Sequence, residues 1–232
     1  MSNAERRARD REAARSRILD AASELFVSEG FSNVSLRKIA EKIDYAPATI
    51  YLYFRDKDHL LSCLCHEVFS QLCEAMEEIE RTSVTPLEFL ERVLRFYIDF
   101  GIRHPHHYRL ALSLRAAVAR QGADKHPDSQ EANRTGLEAF DYLRRSLRLS
   151  ADAGLVVVND VEATAQTLWT FIHGTTSLLI SVPARPHFPW VAQQDIIDTG
   201  IHIILRGLRP AAGSREQPAA AEPVTGTGVS RN

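Results

Sequence analysis

Eight residues, Pro47-Ala48-Thr49-Ile50-Tyr51-Leu52-Tyr53-Phe54, carry groups suited to a base-paired duplex. The Thr49 hydroxyl can meet a base edge or a phosphate, and Pro47 and Ala48 are small enough to lie against thymine methyls. Tyr51 and Tyr53 can reach phosphate oxygens, and Lys57 can add a point charge. Upstream, Arg37 is placed for a bidentate contact with guanine and Ser35 for the start of a helix. The same eight residues also suit a short amphipathic helix in which Tyr51 is simply core.

Cys63, Cys65, His66 and Cys73 invite a metal or redox reading. Cys63 and His66 share a helix face but Cys65 points elsewhere, and no spacing matches a structural zinc site. No metal is expected, and the cysteines read as structural or incidental. Arg103, His104, His106 and His107 gather at a helix junction, either as an anion site or as a solvated helix end. Trp169 and His173, four residues apart, share a helix face. They either line a pocket or form ordinary core beside Gly174.

The elements that must position these groups are helices. Apolar residues recur at helical spacing through most of the chain, strand signals are nearly absent, and the expected fold is all-α. A first helix is expected over about 16–29, with Ile18, Leu19, Ala22, Leu25 and Phe26 inward and Gly30 as its stop. A second starts near Ser35 and turns Leu36, Ile39, Ala40 and Ile43 inward. After a tight break at Asp44-Tyr45, a third short helix starts at Pro47, which the first turn tolerates, and ends by Phe54. Two short helices across a tight turn, braced by a third, make a helix-turn-helix. A long helix follows over 57–80, then a linker over 82–86. Further helices are expected at about 86–102, 104–120, 129–149, 160–182 and 193–208. The domains are thus a flexible basic arm over 1–14, a helix-turn-helix domain over 15–62, a ligand-sensing and dimerisation bundle over 83–209, and a disordered tail over 210–232.

Bulk properties narrow the class. The chain has 232 residues and a net charge of -2, so it is no polycation, but six arginines before residue 18 exceed the local acids by three. Such an arm can follow phosphates, reach a minor groove or stay solvated. No run of 18 apolar residues exists, the N-terminus does not resemble a secretory signal, and three cysteines make no disulfide framework. A cytoplasmic location without membrane attachment fits. A glycine-rich phosphate loop, Gly-x-Ser-x-Gly and His-Glu-x-x-His are all missing, so neither an enzyme nor a cofactor is expected. A ligand-free architectural DNA protein is a rival class.

Residues 16–61 resemble the N-terminal domain of the TetR family almost position by position. The matching features are Ile18-Leu19-x-Ala21-Ala22, Leu25-Phe26, Gly30-Phe31, Ser35-Leu36-Arg37-Lys38-Ile39-Ala40, Thr49-Ile50-Tyr51-x-Tyr53-Phe54 and Lys57-x-x-Leu60-Leu61. Four positions depart from the pattern. Asp44 replaces the usual Gly, and Asp tolerates a left-handed turn. Ala46 replaces a capping Ser or Thr, Pro47 replaces a residue that is often polar, and Leu52 replaces a frequent His or Trp. Base readout is therefore expected to be more apolar than in relatives. Trp169-Thr170-Phe171-Ile172-His173-Gly174 and His104-Pro105-x-x-Tyr108-Arg109-Leu110 resemble one C-terminal subgroup with a Trp-x-x-x-His-Gly signature.

The resemblance implies a transcriptional regulator, most often a repressor, that leaves a double-stranded DNA operator when a small-molecule effector binds. It implies a homodimer built from the helices at 160–182 and 193–208, with Trp169, Leu178, Ile197, Ile201 and Ile204 at the interface. Phe96, Phe100, Tyr108, Leu112, Phe140, Leu143, Trp169 and His173 are the expected pocket lining, and their aromatic weight suggests an apolar or aromatic effector.

Overall fold

The computed structural model describes residues 2–114, 127–182 and 188–211, with side chains over 2–111, 130–182 and 188–211. The fold is all-α. The helices are α1 (Asn3–Glu29), α2 (Leu36–Lys42), α3 (Pro47–Tyr51), α4 (Lys57–Thr82), α5 (Pro86–Arg103), α6 (Pro105–Tyr108), α7 (Pro127–Asp152), α8 (Val161–Ser181) and α9 (Gln193–Leu208). A π-helical turn, Arg109–Leu114, continues α6. The expected helix at 104–120 runs past residue 114 into positions outside the described residues, as does the tail from 212 onward. Among the described residues, no helix is long and apolar enough to cross a membrane.

The expected flexible arm is instead helix. Residues 3–14 are continuous with the rest of α1. The cause is local: Ser2 Oγ accepts from Glu5 N at 3.2 Å while Glu5 Oε2 accepts from Ser2 N at 2.8 Å. This capping box precedes a run rich in Ala, Arg and Glu, all good helix formers. Gly30, at φ 84°, ends the helix in backbone that a side chain would strain.

The first three helices close over Ile18, Leu19, Ala22, Phe26, Ile39, Ala40, Ile50 and Phe54, all nearly or fully buried. Ser35 caps α2 by accepting from Lys38 N at 3.2 Å. The α2–α3 turn needs a left-handed residue, and Asp44 adopts it at φ 58°. Ala46 precedes α3 with no side-chain cap, as its type dictates, and Pro47 occupies the first turn. Asp56 caps α4 through His59 N at 2.7 Å.

α4 leaves the head and becomes a wall of the second body, where it packs along α7. α5 is central there, touching α4, α6, α7, α8 and α9. Its near-continuous apolar surface accounts for this, with Phe89, Leu90, Val93, Leu94, Tyr97, Ile98 and Phe100 all buried. Gly101 lets α5 approach α8 closely: a Cβ there would collide with Thr176 and lie 2.8 Å from Tyr108 Cδ2. α6 and the π-helical turn lie against both α1 and α4, so they join the two bodies.

Candidate nucleic-acid interface and ligand cavity

The α2–α3 unit turns Ile50 inward and leaves Pro47, Ala48, Tyr51 and Leu52 exposed, with Thr49 and Tyr53 half-buried. Ser35 and Arg37 are also exposed. Arg37 Nε donates to Glu41 Oε1 at 3.0 Å within α2. Such an exposed i,i+4 pair is worth only about 0.3–0.5 kcal/mol, so the guanidinium is easily recruited elsewhere. Arginines of α1 flank the same surface: Arg11 lies over the Tyr53 ring at 6.0 Å, Arg15 over Phe54 at 5.9 Å and Arg17 over Tyr45 at 5.2 Å.

Lys57 does not stand with this group. Its ammonium donates to Phe31 O at 2.6 Å and Val34 O at 2.9 Å and sits 4.2 Å from the Phe31 ring centroid. The expected phosphate contact is therefore corrected to an internal clamp. The ammonium ties together two carbonyls of the α1–α2 connection, one of which, Phe31 O, also accepts from Val34 N at 3.4 Å. The nearby cations Lys38 and Lys42 pair with Glu29 and Glu24.

The second body holds a cavity of about 500 Å³ bounded by α4, α5, α7 and α8. Phe69, Leu72 and Met76 of α4, Val93 and Tyr97 of α5, Gly136, Phe140 and Leu143 of α7, and Trp169 and Ile172 of α8 line it. The polar margin is Asn133, Arg144, Glu162 and Gln166. Arg144 bridges α7 to α8 by donating to Glu162 at 2.7 and 2.9 Å, and its guanidinium lies 4.4 Å from the Phe140 ring centroid. The Arg144 side chain holds the Glu162 carboxyl below the usual carboxylate range.

Of the expected lining, Phe140, Leu143 and Trp169 face this cavity. Phe96 and Phe100 do not: Phe100 is core near α1, α4 and the π-helical turn, and Phe96 packs against both apolar clusters. The side chain of Leu112 lies outside the described residues. The fourth wall is α4, not the 104–120 helix. Its residues Phe69, Leu72 and Met76 follow a helical stripe that reads from sequence as plain core.

Tyr108 and His173 stand one layer behind the lining. Tyr108 is buried, and its hydroxyl lies 2.6 Å from His173 Nδ1, 3.1 Å from His173 O and 3.4 Å from Ser177 Oγ. The Tyr97 hydroxyl, from the cavity wall, lies 3.1 Å from the same Nδ1. The Tyr108 and Trp169 rings each stack on His173, at 5.5 and 5.3 Å. Burial lowers the His173 pKa and raises both tyrosines, Tyr97 well above its ordinary value. Burial therefore favours the neutral form of the imidazole. An unbroken polar-aromatic chain thus runs from the cavity to α6. Arg109, the next residue, donates to Ile180 O at 2.8 Å.

The interface expectation for α9 also changes. Ile197 and Ile201 are buried within the chain, on the face that meets α5. The helical period puts Ile203 on the opposite side, 63% exposed, with Ile204 half-buried between. On α8, Leu178 is 53% exposed, and Phe171 and Trp169 are each just over one third exposed.

The described residues hold no group of three His, Cys, Asp or Glu side chains able to bind a metal. His66 Nδ1 instead contacts Thr135 Oγ1 at 3.0 Å, and Cys73 Sγ lies 3.7 Å from Thr135 O. The His107 pKa is lowered by burial first and then by His104.

Comparison with known proteins agrees with this geometry. A profile described as "Bacterial regulatory proteins, tetR family" matches residues 18–63, and one described as "Tetracyclin repressor-like, C-terminal domain" matches 90–198. A fatty acid metabolism regulator protein of Bacillus subtilis is 38% identical over 77 residues, 33% of this chain and 40% of that protein. The chain spans only about a third to two fifths of the curated relatives it matches. A tetR-family regulatory protein from Rhodococcus RHA1 superposes with TM-score 0.71 at 18% identity, over 86% of this chain and 98% of that one. The transcriptional regulator FadR from Bacillus subtilis, in complex with stearoyl-CoA, gives 0.68 at 22% identity, over 84% and 99%. At these identities the structural likeness is one of fold. Together the two profiles take in the greater part of the chain, from the DNA-reading fold to the cavity-bearing bundle, and the chain belongs to the TetR family of bacterial transcriptional regulators.

Proposed function

We propose that the protein is a homodimeric repressor that binds an operator through α2 and α3 and leaves it when an apolar effector fills the cavity. The observation that carries this reading is that α4 is shared: its start packs in the head and its middle lines the cavity. A ligand that favours one position of α4 therefore favours one setting of the head. Ser35, Arg37, Pro47, Ala48, Thr49, Tyr51, Leu52 and Tyr53 are the DNA-facing set, with the α1 arginines along phosphates.

The lining supports an effector with a long or bulky apolar body and a polar end at the Arg144–Glu162–Gln166 margin. FadR of Bacillus subtilis was solved with stearoyl-CoA, so an acyl thioester is the first class to assay. The Trp169-x-x-x-His173-Gly174 stretch supports placing the chain in that C-terminal subgroup. In this reading His173 carries the cavity's state from Tyr97 to Tyr108 and α6. The dimer face is formed by Phe171, Leu178 and Ile203, with Ile204 beside them, rather than by Ile197 and Ile201.

The test uses an operator selected from a random duplex library. Titrating fatty acids and acyl thioesters of graded length should release the operator for a subset of lengths, and Phe140→Ala should shift that subset. Release that ignores chain length and Phe140 alike would refute the cavity as the sensor.

A further inference from the structure

Building on the assignment of α3 as the DNA-reading helix, we propose that it selects its site through thymine methyl groups, with Leu52 setting the preference. From Tyr45 to Phe54 the chain has no charged, Asn or Gln side chain. The face of α3 turned away from the core consists of Pro47, Ala48, Tyr51 and Leu52. Tyr51 is 59% exposed and Leu52 74%. One exposed leucine would mean nothing, but four exposed residues on two adjacent i,i+4 rows, Pro47–Tyr51 and Ala48–Leu52, form a patch.

The surroundings identify the partner. Arg11, Arg15 and Arg17 lie over the rings of Tyr53, Phe54 and Tyr45, residues that flank the patch in sequence, and Arg37 stands on the neighbouring helix, paired with Glu41. An apolar face with arginines close by in the same head complements a major groove, whose phosphate walls are anionic. Within that groove only thymine presents an apolar group, its C5-methyl. The bidentate contacts that mark guanine and adenine need Arg, Lys, Asn or Gln, and the exposed face of α3 has none. Discrimination along this helix therefore falls to methyl contacts, with the Thr49 and Tyr51 hydroxyls adapting to neighbouring acceptors. Ala48 and Leu52 are one helical turn apart, about 6 Å, or nearly two base steps at about 3.4 Å each. Each half-site should carry two contacted thymines at that separation.

The experiment takes duplexes enriched from a random library by the full-length protein and replaces each thymine in turn by uracil, which removes only the methyl. Affinity should fall roughly fourfold at two positions per half-site, equivalent to about 0.8 kcal/mol per buried methyl. Leu52→Ala should abolish the uracil penalty at one of these positions, keep the other, and leave the thermal midpoint unchanged. Leu52→Gln should move the preference at that position toward adenine. A sequence-selective complex that tolerates uracil everywhere, or a Leu52→Ala protein with every penalty intact, overturns the proposal while leaving DNA reading in place. Failure to enrich any sequence overturns the DNA reading itself and this proposal with it.

Discussion

At the scale of single residues, type alone misassigns some roles that tertiary contacts decide. Lys57 is a cation near the DNA-facing helix, and from sequence that is a phosphate contact. Its burial against two carbonyls of the α1–α2 connection makes it a structural clamp. Lys57→Met should lower the unfolding free energy by about 1.5–3 kcal/mol, the worth of hydrogen bonds to a charged group, in chemical denaturation. Tyr51→Ala should instead weaken operator binding with no change in stability, because Tyr51 is exposed. The neutral imidazole of His173 adds a pH dependence. Burial lowers its folded pKa below the ordinary value, as it does for His107. The unfolded chain therefore takes up these protons first as pH falls through about 6.5. Stability should be flat above that pH and decline from 6.5 toward 5, and His173→Gln should flatten the decline. A denaturation midpoint that rises on acidification would contradict the buried neutral state.

At the scale of elements, boundaries with a chemical stop were legible. Gly30, the Ser35 cap, the left-handed Asp44 and Pro47 each mark a helix end by backbone chemistry, and the structure places those ends there. The N-terminal extension was not, because six arginines read as a solvated charge run while the Ser2–Glu5 capping box is only two residues. The helical state removes one option for those arginines: an α-helix about 10 Å wide does not enter a minor groove about 6 Å wide. They are left to follow phosphates or to stay solvated. Deleting residues 1–14 should lower affinity about equally for all sequences and reduce the salt slope by about 0.9 for each phosphate that the arm neutralises. An affinity decrease confined to particular sequences would contradict this. The cavity was half legible. Phe140, Leu143 and Trp169 show as aromatic and apolar positions on two helices. The α4 wall stayed hidden, because a helix that lines a cavity and one that fills a core share the same 3.6-residue period.

At the scale of the molecule, one long helix, α4, packs at its start in the head and lines the apolar cavity at its middle, with α6 and its π-helical turn as a second bridge. The face of α8 and α9 that bears Phe171, Leu178 and Ile203 is apolar and uncovered in the single chain, as a subunit interface requires. Ile203→Asp should yield a folded monomer in sedimentation, whereas Ile201→Asp should unfold the chain, because its side chain is buried against α5. Identical behaviour of the two variants would misplace the interface.

The claim that joins these scales is that α3 reads DNA in a two-fold assembly. Enrichment of a random duplex library by the full-length protein, side by side with its Tyr51→Ala variant, tests it most directly. The account predicts one enriched inverted repeat, with half-sites about one helical turn apart or a multiple of it, for the unaltered protein and markedly weaker enrichment for the variant. The same repeat enriched equally by both proteins, or by neither, would contradict it.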